Sequence, residues 1–144
     1  MDNRYKILVS DPLSQEGIQI LEKNASVDVK ANLSEEELLN MIGDYHALVV
    51  RSSTQVTASL IEKADNLQVI GRAGVGVDNI DVDKATERGI MVINAPEGNT
   101  ISAAEHSIAM LAALARNIHN ANYSVKQKEW KRKQFTGVEL NRKT

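Results

Sequence analysis

The chain has 144 residues, of which 42% are hydrophobic and 25% are charged, and this composition fits one soluble globular domain of ordinary size. The absence of cysteine excludes a disulfide framework, a thiolate nucleophile and every zinc or iron–sulfur site built on Cys. The first residues lack a secretory signal, so we expect a cytoplasmic protein. The longest weakly polar stretch, Ile101 to Ala115, is too short for a membrane span and contains Glu105 and His106.

The net charge of −2 is distributed unevenly along the chain. Residues 1–115 hold 9 basic and 17 acidic side chains, a net charge of −8, whereas residues 116–144 hold 8 basic and 2 acidic ones, a net charge of +6. This asymmetry indicates two parts with different roles. The near-neutral total and the presence of only five aromatic residues argue against a nucleic-acid partner, so we interpret most basic side chains as a solvated surface.

The first hundred residues repeat one pattern, in which a short apolar run is followed by a turn and a helix with a capping residue. This alternation predicts an α/β fold, with a parallel sheet of about five strands and flanking helices. Runs rich in Val and Ile without alternation are typical of strands covered on both faces. The predicted strands are Tyr5–Ser10, Ser26–Lys30, Ala47–Arg51, Gln68–Gly71 and Ile90–Asn94.

Helix ends are marked by capping residues. Ser34 followed by Glu37 predicts a capping box. Asp81 predicts the start of a helix that Gly89 ends in a left-handed conformation. Thr100 or Ser102 is expected to cap the longest helix.

This longest helix, from about Ile101 to about Arg116, is apolar almost all round, which is typical of a large core or a subunit interface. A weaker helix should follow to about Glu129, and a short strand could begin at residues 138–140. The sequence therefore predicts one domain over residues 1–98 and part of another over residues 99–144. The chain ends without a stop signal, so we expect it to be cut inside a larger fold.

The loop Gly71–Asn79 follows a predicted strand and resembles a dinucleotide-binding fingerprint. The third small residue of that fingerprint is replaced by Asn79, so we reject the loop as a nucleotide site. Gly74 and Gly76 instead allow an anion to approach the backbone N–H groups beside the charge of Arg72, which suits a carboxylate. A tight turn that needs glycine only for its geometry is an equally weighted alternative.

A second strand end places Arg51, Ser52, Ser53 and Thr54 where open α/β sheets bind ligands. Guanidinium groups match carboxylate and phosphate oxygens, so Arg51 together with Arg72 would suit a small anionic metabolite. Each arginine could instead form a surface ion pair.

The three histidines lack the spacing of a metal site, so we predict no metal centre and interpret them as structural. Trp130, among charged residues, indicates either an interface anchor or packing within the monomer.

Four long motifs occur in order along the chain, and their combination is far more specific than any single loop. They are Val50–Thr54, Val69–Asp81, Asn94–His106 and Trp130–Phe135. In these motifs the sequence resembles the D-isomer-specific 2-hydroxyacid dehydrogenases, over essentially Lys6 to Thr144, and within them the enzymes that act on 3-phosphoglycerate.

The resemblance implies a flavodoxin-like substrate domain, followed by a long helix that begins a Rossmann domain for NAD. It implies NAD-dependent oxidation of 3-phosphoglycerate to 3-phosphohydroxypyruvate, at the entry to serine synthesis. The family's catalytic Arg, Glu and His would lie beyond Thr144, as would the main cofactor site. Hence no catalytic residue is assigned here, and we expect the chain by itself to be inactive.

The resemblance also implies roles for individual residues. Arg51, Ser52 and Arg72 would contact the substrate or its phosphate, and the backbone N–H groups of Val75 and Gly76 would hold its carboxylate. Val75 and Asn99 would lie near the nicotinamide. The segment Ile101–Phe135 would build a homodimer or tetramer, in which Arg132 reaches a partner's active site.

Two further hypotheses stay open. The chain could be a stand-alone, non-catalytic module for anion binding or dimerisation. It could also belong to another D-2-hydroxyacid dehydrogenase, because the rest of the pocket would lie outside these residues, and NAD and NADP cannot be separated without the residue that discriminates them.

Overall fold

A computed structural model describes residues 5–143, which fall into two compact units that divide after Gly98. Unit 1 comprises the residues up to Gly98, and unit 2 those from Asn99 onward. The roles that the sequence assigns to these two parts stay a prediction.

Unit 1 contains one five-stranded sheet in which every pair of neighbouring strands is parallel. The strands are β1 (Tyr5–Val9), β2 (Ala25–Val29), β3 (Ala47–Val50), β4 (Val69–Arg72) and β5 (Met91–Asn94). Their order across the sheet is β2-β1-β3-β4-β5, the flavodoxin-like order. The predicted parallel α/β sheet is confirmed, with each strand within about one residue of its predicted limits.

Four α-helices connect these strands: α1 (Gln15–Glu22), α2 (Glu35–Met41), α3 (Ala58–Lys63) and α4 (Val82–Glu87). A 3-10 helix (Ile42–Asp44) follows α2. The chain steps from β1 out to β2 and then returns past β1 to β3, so the direction of travel reverses once. Since parallel crossovers are right-handed, this reversal puts α1 on one face of the sheet and α2, α3 and α4 on the other.

The buried core lies on the face with three helices. Leu8, Leu48 and Ile70 occupy neighbouring positions in the sheet register and are fully buried. They belong to one cluster with Leu60 and Ala85 of the helices. Burying a side chain of this size contributes about 1.5–3 kcal/mol, so this face supplies most of the stability of unit 1.

The opposite face is less covered than the sequence predicted. Ala47 and Val49 are half-buried there, and on β5 Met91 and Ile93 remain 62% and 50% exposed. The expectation that the strands are covered on both faces is therefore wrong for β5. The reason is the single helix that unit 1 provides on this side.

The helix ends of unit 1 follow the predicted signals. Ser34 Oγ accepts from the N–H of Glu37, whose carboxylate accepts in return from the N–H of Ser34, at 3.2 and 2.8 Å. These hydrogen bonds from Ser34 hold the pKa of the Glu37 carboxyl below its usual range. Asp81 accepts from the N–H of Lys84 at 2.9 Å, and Gly89 has the left-handed φ of 69°. The capping box and both helix ends are confirmed.

Unit 2 contains α5 (Thr100–Ala115), α6 (Ile118–Lys126) and a short 3-10 helix (Arg132–Phe135). The predicted cap of α5 is wrong, because the helix starts after Asn99 with no side-chain hydrogen bond, and the Ser102 hydroxyl donates to the Asn99 carbonyl. The strand expected at residues 138–140 does not form. The segment instead packs on the end of α5, where a Cβ on Gly137 would lie 2.2 Å from the Ala115 carbonyl oxygen.

Asn117 adopts a left-handed φ of 51° between α5 and α6, which explains the interruption that the sequence indicates. No residue of α5 is buried, and Leu114 is 79% exposed. No helix among the described residues has both the length and the apolar character that crossing a lipid bilayer requires.

Tyr45 gives a direct test of the packing around β1, β2 and β3. Its hydroxyl donates to Asp28 at 2.7 Å, and burial together with this carboxylate raises the pKa of Tyr45 to about 12. The unfolded chain loses this proton near the ordinary tyrosine pKa of about 10, so between about pH 10 and 12 it binds fewer protons than the folded chain. The free energy of unfolding therefore falls across this window.

We expect Tyr45→Phe to lower stability at neutral pH by about 1 kcal/mol, because one hydrogen bond is lost, and to remove this alkaline decrease. Ultraviolet titration of the phenols and urea unfolding from neutral pH upward would measure both effects. Tyr123→Phe, at an exposed tyrosine, is the matched control and should keep the late-titrating phenol. Retention of that phenol in Tyr45→Phe would contradict the assignment.

Candidate functional site

The candidate site lies at the carboxyl edge of the sheet, where the strand order reverses between β1 and β3. Open α/β sheets bind ligands at this kind of position, because the connections on either side of the reversal leave in opposite directions and open a crevice. Asp11 follows β1, the turn Arg51–Thr54 follows β3, and the loop Ala73–Asp78 follows β4. The topology therefore brings together both loops that the sequence singled out.

The loop after β4 has its carbonyl oxygens fixed by protein donors. The Gly74 carbonyl accepts from the N–H of Ala95 at 2.9 Å, and the Val75 carbonyl accepts from Asn94 Nδ2 at 2.6 Å. The Gly76 carbonyl accepts from Arg72 Nη1. The carbonyl oxygens of three successive residues thus each accept a hydrogen bond, which fixes the orientation of their peptide groups.

Some N–H groups of the same loop lack an acceptor, whereas those of Ala73 and Gly74 donate to the carbonyls of Val50 and Arg72 at 2.8 and 2.9 Å. Among residues 5–143, no acceptor is bonded to the N–H of Val75 or Gly76, and both residues are exposed. A backbone N–H group without an acceptor carries a partial positive charge, which suits an oxyanion. The assignment of these N–H groups to a carboxylate stays a prediction.

Arg72 joins the two loops. Its Nε donates to the Arg51 carbonyl at 3.1 Å, its Nη1 donates to Gly76, and its Nη2 forms an ion pair with Asp78 at 3.3 Å. The guanidinium has five N–H donors, so two remain for a ligand. Only 11% of this side chain is exposed. The two arginines meet through the backbone of Arg51, rather than by pairing their guanidinium groups.

Arg51 and Ser52 are exposed at the turn after β3. Arg51 Nη1 makes one long hydrogen bond of 3.3 Å to the Pro12 carbonyl. Most donors of this guanidinium remain available to an anion, because nothing else among the described residues bonds to them.

Two buried side chains that shape this turn were not assigned to the site by sequence reasoning. Asp11 is 3% exposed and accepts from the N–H of Arg51 at 2.6 Å and from the N–H of Thr54 at 3.2 Å. Asn79, 5% exposed, donates from Nδ2 to the carbonyls of Arg51 and Thr54 at 2.9 and 2.7 Å. The sequence does show that Asp11 is a polar residue shortly after β1. Its contact with the turn after β3 can be predicted only when β1 and β3 are known to be neighbours.

Asn79 Oδ1 is buried and has no hydrogen-bond partner among the described residues. Leaving a buried acceptor without a donor costs about 1–3 kcal/mol, so the side chain is retained despite a penalty. Asn79 also occupies the third small-residue position of the dinucleotide fingerprint, and its side chain bonds the neighbouring turn. The rejection of this loop as a nucleotide site stays a prediction.

The remaining predicted residues lie in unit 2. Asn99 precedes α5 and Arg132 begins the 3-10 helix, and both are exposed. His46 has a structural role, as its Nδ1 accepts from the N–H of Lys6 at 3.1 Å. Among residues 5–143, no three His, Asp or Glu side chains gather as metal ligands would.

Comparison with known proteins identifies relatives with the same motifs. Residues 7–131 match the family model of the D-isomer specific 2-hydroxyacid dehydrogenase catalytic domain. Over 139 residues, the chain is 56% identical to the D-3-phosphoglycerate dehydrogenase of Synechocystis sp., with 96% of this chain and 25% of that protein covered. It is 55% identical to the enzyme of the same name from Archaeoglobus fulgidus, with 96% and 27% covered.

A solved structure of a relative has a similar fold. An NAD+-bound 3-phosphoglycerate dehydrogenase from Entamoeba histolytica superimposes with a TM-score of 0.69 at 29% identity, over 78% of this chain and 40% of that one. The chain spans about a quarter of the length of the curated relatives it matches. On the family match and on its fold, the chain belongs to the D-isomer specific 2-hydroxyacid dehydrogenases.

Proposed function

We propose that this chain supplies the anion-binding loops of an NAD-dependent dehydrogenase that oxidises 3-phosphoglycerate to 3-phosphohydroxypyruvate, at the entry to serine synthesis. The observation that carries the proposal is the pair of N–H groups of Val75 and Gly76, which have no acceptor among the described residues. They lie in a loop where the carbonyls of Gly74, Val75 and Gly76 accept hydrogen bonds. The names of the relatives from Synechocystis and Archaeoglobus support the choice of substrate.

The proposal divides the substrate's two anionic groups between the loops. The carboxylate binds the N–H groups of Val75 and Gly76, because its two oxygens can each accept from one backbone donor. The phosphate lies at Arg51 and Ser52, because an exposed guanidinium with free donors binds phosphate oxygens bidentately. Arg72 holds both loops and adds its positive charge from between them.

NAD is the proposed cofactor, since the Entamoeba relative is described as NAD+-bound. It would accept the hydride from the substrate's carbon. The described residues do not fit its pyrophosphate, because Asn79 occupies the position that the dinucleotide fingerprint reserves for a small residue. Val75 and Asn99 remain the proposed nicotinamide contacts. We therefore assign substrate binding, and no hydride transfer, to this chain by itself.

A non-catalytic anion-binding module is the second candidate. It is favoured by the fact that every group of the candidate anion site, from Asp11 to Asn94, comes from unit 1. Both candidate functions require that this chain binds the anion. They differ in whether the substrate is oxidised when the rest of a dehydrogenase is present.

The proposed assembly is a homodimer or tetramer through Ile101–Phe135, with Arg132 reaching a partner's site. Its support is the apolar surface of unit 2. Large side chains there are exposed, including Ile101 at 74%, Leu114 at 79% and Trp130 at 77%. Exposed apolar side chains that together form a large patch are typical of protein–protein contacts.

The first prediction for the site concerns ligand binding. We expect 3-phosphoglycerate to raise the thermal unfolding midpoint, with about 2.7 kcal/mol of stabilisation at a hundred times the dissociation constant. Arg51→Gln should weaken binding roughly tenfold, because a charge-assisted hydrogen bond is lost. Isothermal calorimetry and thermal unfolding would measure this.

Arg88→Gln is the matched control for this change, because Arg88 pairs with Asp65 outside the site. It should leave the affinity unchanged. Glycerate, which lacks the phosphate, should bind more weakly than 3-phosphoglycerate to the wild type, and this difference should shrink in Arg51→Gln. Absence of any shift at millimolar 3-phosphoglycerate would overturn the proposed binding, and NAD-dependent turnover by this chain would contradict its proposed inactivity.

Gly76→Ala tests the loop after β4. An added Cβ would lie 3.0 Å from Asp78 Oδ1 and 3.3 Å from Arg72 Nη1, so both side chains would have to move by a few tenths of an ångström. We expect a loss of about 1 kcal/mol of stability from this overpacking, together with weaker ligand binding. Urea unfolding and calorimetry would measure the two effects.

Gly71→Ala is the control for that substitution. Its Cβ would meet Ile93 at 3.7 Å, an ordinary contact. It should leave ligand affinity unchanged. Equal affinity of Gly76→Ala and the wild type would remove this loop from the site.

The proposed assembly predicts association that depends on protein concentration. Leu114→Gln should weaken it, because burial of this side chain would contribute about 1.5–3 kcal/mol. Ile20→Gln, at a side chain 61% exposed in unit 1, is the control and should have no effect. Sedimentation velocity over a range of concentrations would measure association. A strictly monomeric wild type at high concentration would refute the proposal.

A further inference from the structure

The backbone of the turn Arg51–Thr54 is hydrogen-bonded by two buried side chains, which belong to two other segments of the chain. Its outer N–H groups, those of Arg51 and Thr54, point to the Asp11 carboxylate, and its outer carbonyls, those of the same two residues, accept from Asn79 Nδ2. We propose that Asp11 and Asn79 are positioning residues that set the affinity of the site by fixing Arg51 and Ser52. This inference rests on the proposed function.

Asp11 contributes a fixed acceptor. Its Oδ2 takes both backbone N–H groups, and its Oδ1 accepts from the Thr54 hydroxyl at 3.0 Å. Among the described residues it has no cationic partner within ion-pair distance, although it is almost fully buried. A buried carboxylate without a cation needs convergent N–H and O–H donors, so the turn and Asp11 require each other.

Asn79 contributes the complementary donor. One NH2 group spans the two carbonyls of the turn, and a carboxylate or an apolar side chain at this position could not do so. The Arg51 carbonyl also accepts from Arg72 Nε. The turn is therefore connected through one carbonyl to the arginine that holds the loop after β4.

As a consequence, the turn Arg51–Thr54 and the loop Ala73–Asp78 are held together before any ligand binds. With the outer groups of the turn fixed, the inner N–H groups of Ser52 and Ser53 have no acceptor among residues 5–143. The backbone of Arg51 is held by hydrogen bonds to Asp11, Arg72 and Asn79, so the origin of its side chain is fixed. A ligand then binds without first ordering the turn, and preorganisation of this kind raises affinity.

Asp11→Ala and Asp11→Asn separate this role from a purely structural one. In Asp11→Asn, the amide oxygen can accept from both N–H groups, and its NH2 can donate to the Thr54 hydroxyl, which then donates to Ser10 Oγ. We expect Asp11→Asn to keep the affinity for 3-phosphoglycerate within about threefold, and Asp11→Ala to weaken it roughly tenfold.

The matched control for Asp11→Ala is Asp81→Ala, which removes a carboxylate that caps α4 by accepting a backbone N–H away from the site. It should lower the unfolding midpoint without changing ligand affinity. Asn79→Ala should weaken binding like Asp11→Ala, whereas Asn66→Ala, which removes an amide bonded to the Gly43 carbonyl, should not. Because Asp11 and Asn79 each have their own control, one pair still tests the inference if a variant of the other pair fails to fold.

Amide hydrogen exchange gives a readout that needs no ligand. In Asp11→Ala, exchange at the N–H groups of Arg51 and Thr54 should accelerate, while exchange in the core strands is unchanged. If exchange and affinity stay at wild-type values, or if Asp81→Ala weakens binding equally, the inference is overturned. If the wild type binds no 3-phosphoglycerate, the proposed function fails, and the exchange rates still decide whether Asp11 fixes the turn.

Discussion

The reversal of strand order between β1 and β3 is the constraint on which the candidate site depends. Because the two strands are neighbours in space but not in sequence, the residues after each of them emerge side by side. Asp11 thus meets the N–H groups of Arg51 and Thr54, which lie forty residues further along the chain. The fold places a buried acceptor against the backbone of the turn Arg51–Thr54, and the Arg51 side chain is exposed.

Much of unit 1 follows from local sequence signals, because each signal acts over a few residues. Ser34 and Glu37 close a capping box within one turn, and the left-handed Gly89 ends α4 by its own backbone freedom. The cap of α5 was mispredicted for the same reason. A serine with a glutamate three residues on favours a cap, but the helix starts earlier, at Thr100, and leaves Ser102 in its first turn.

The glycine loop and the two arginines could be found from sequence, whereas the groups that hold them could not. Gly74 and Gly76 mark a backbone that a ligand can approach, and this signal is local. The roles of Asp11 and Asn79 depend on which strands are neighbours and which backbone groups face inward, and no periodicity encodes either. The incomplete coverage of β5 has a similar origin, since it depends on the number of helices on each face.

In the loop after β4, hydrogen bonds to three successive carbonyl oxygens fix the peptide groups of the candidate site. A loop whose carbonyls were free would turn some of them toward the ligand and repel an anion. Here Arg72, Asn94 and the N–H of Ala95 bind those oxygens, so the opposite ends of the peptides present N–H groups. The energetic penalty of burying Asp11 and of leaving Asn79 Oδ1 unpartnered is incurred on folding. Under the proposed function, a ligand would meet a turn that is already ordered, and more of the interaction energy would appear as affinity.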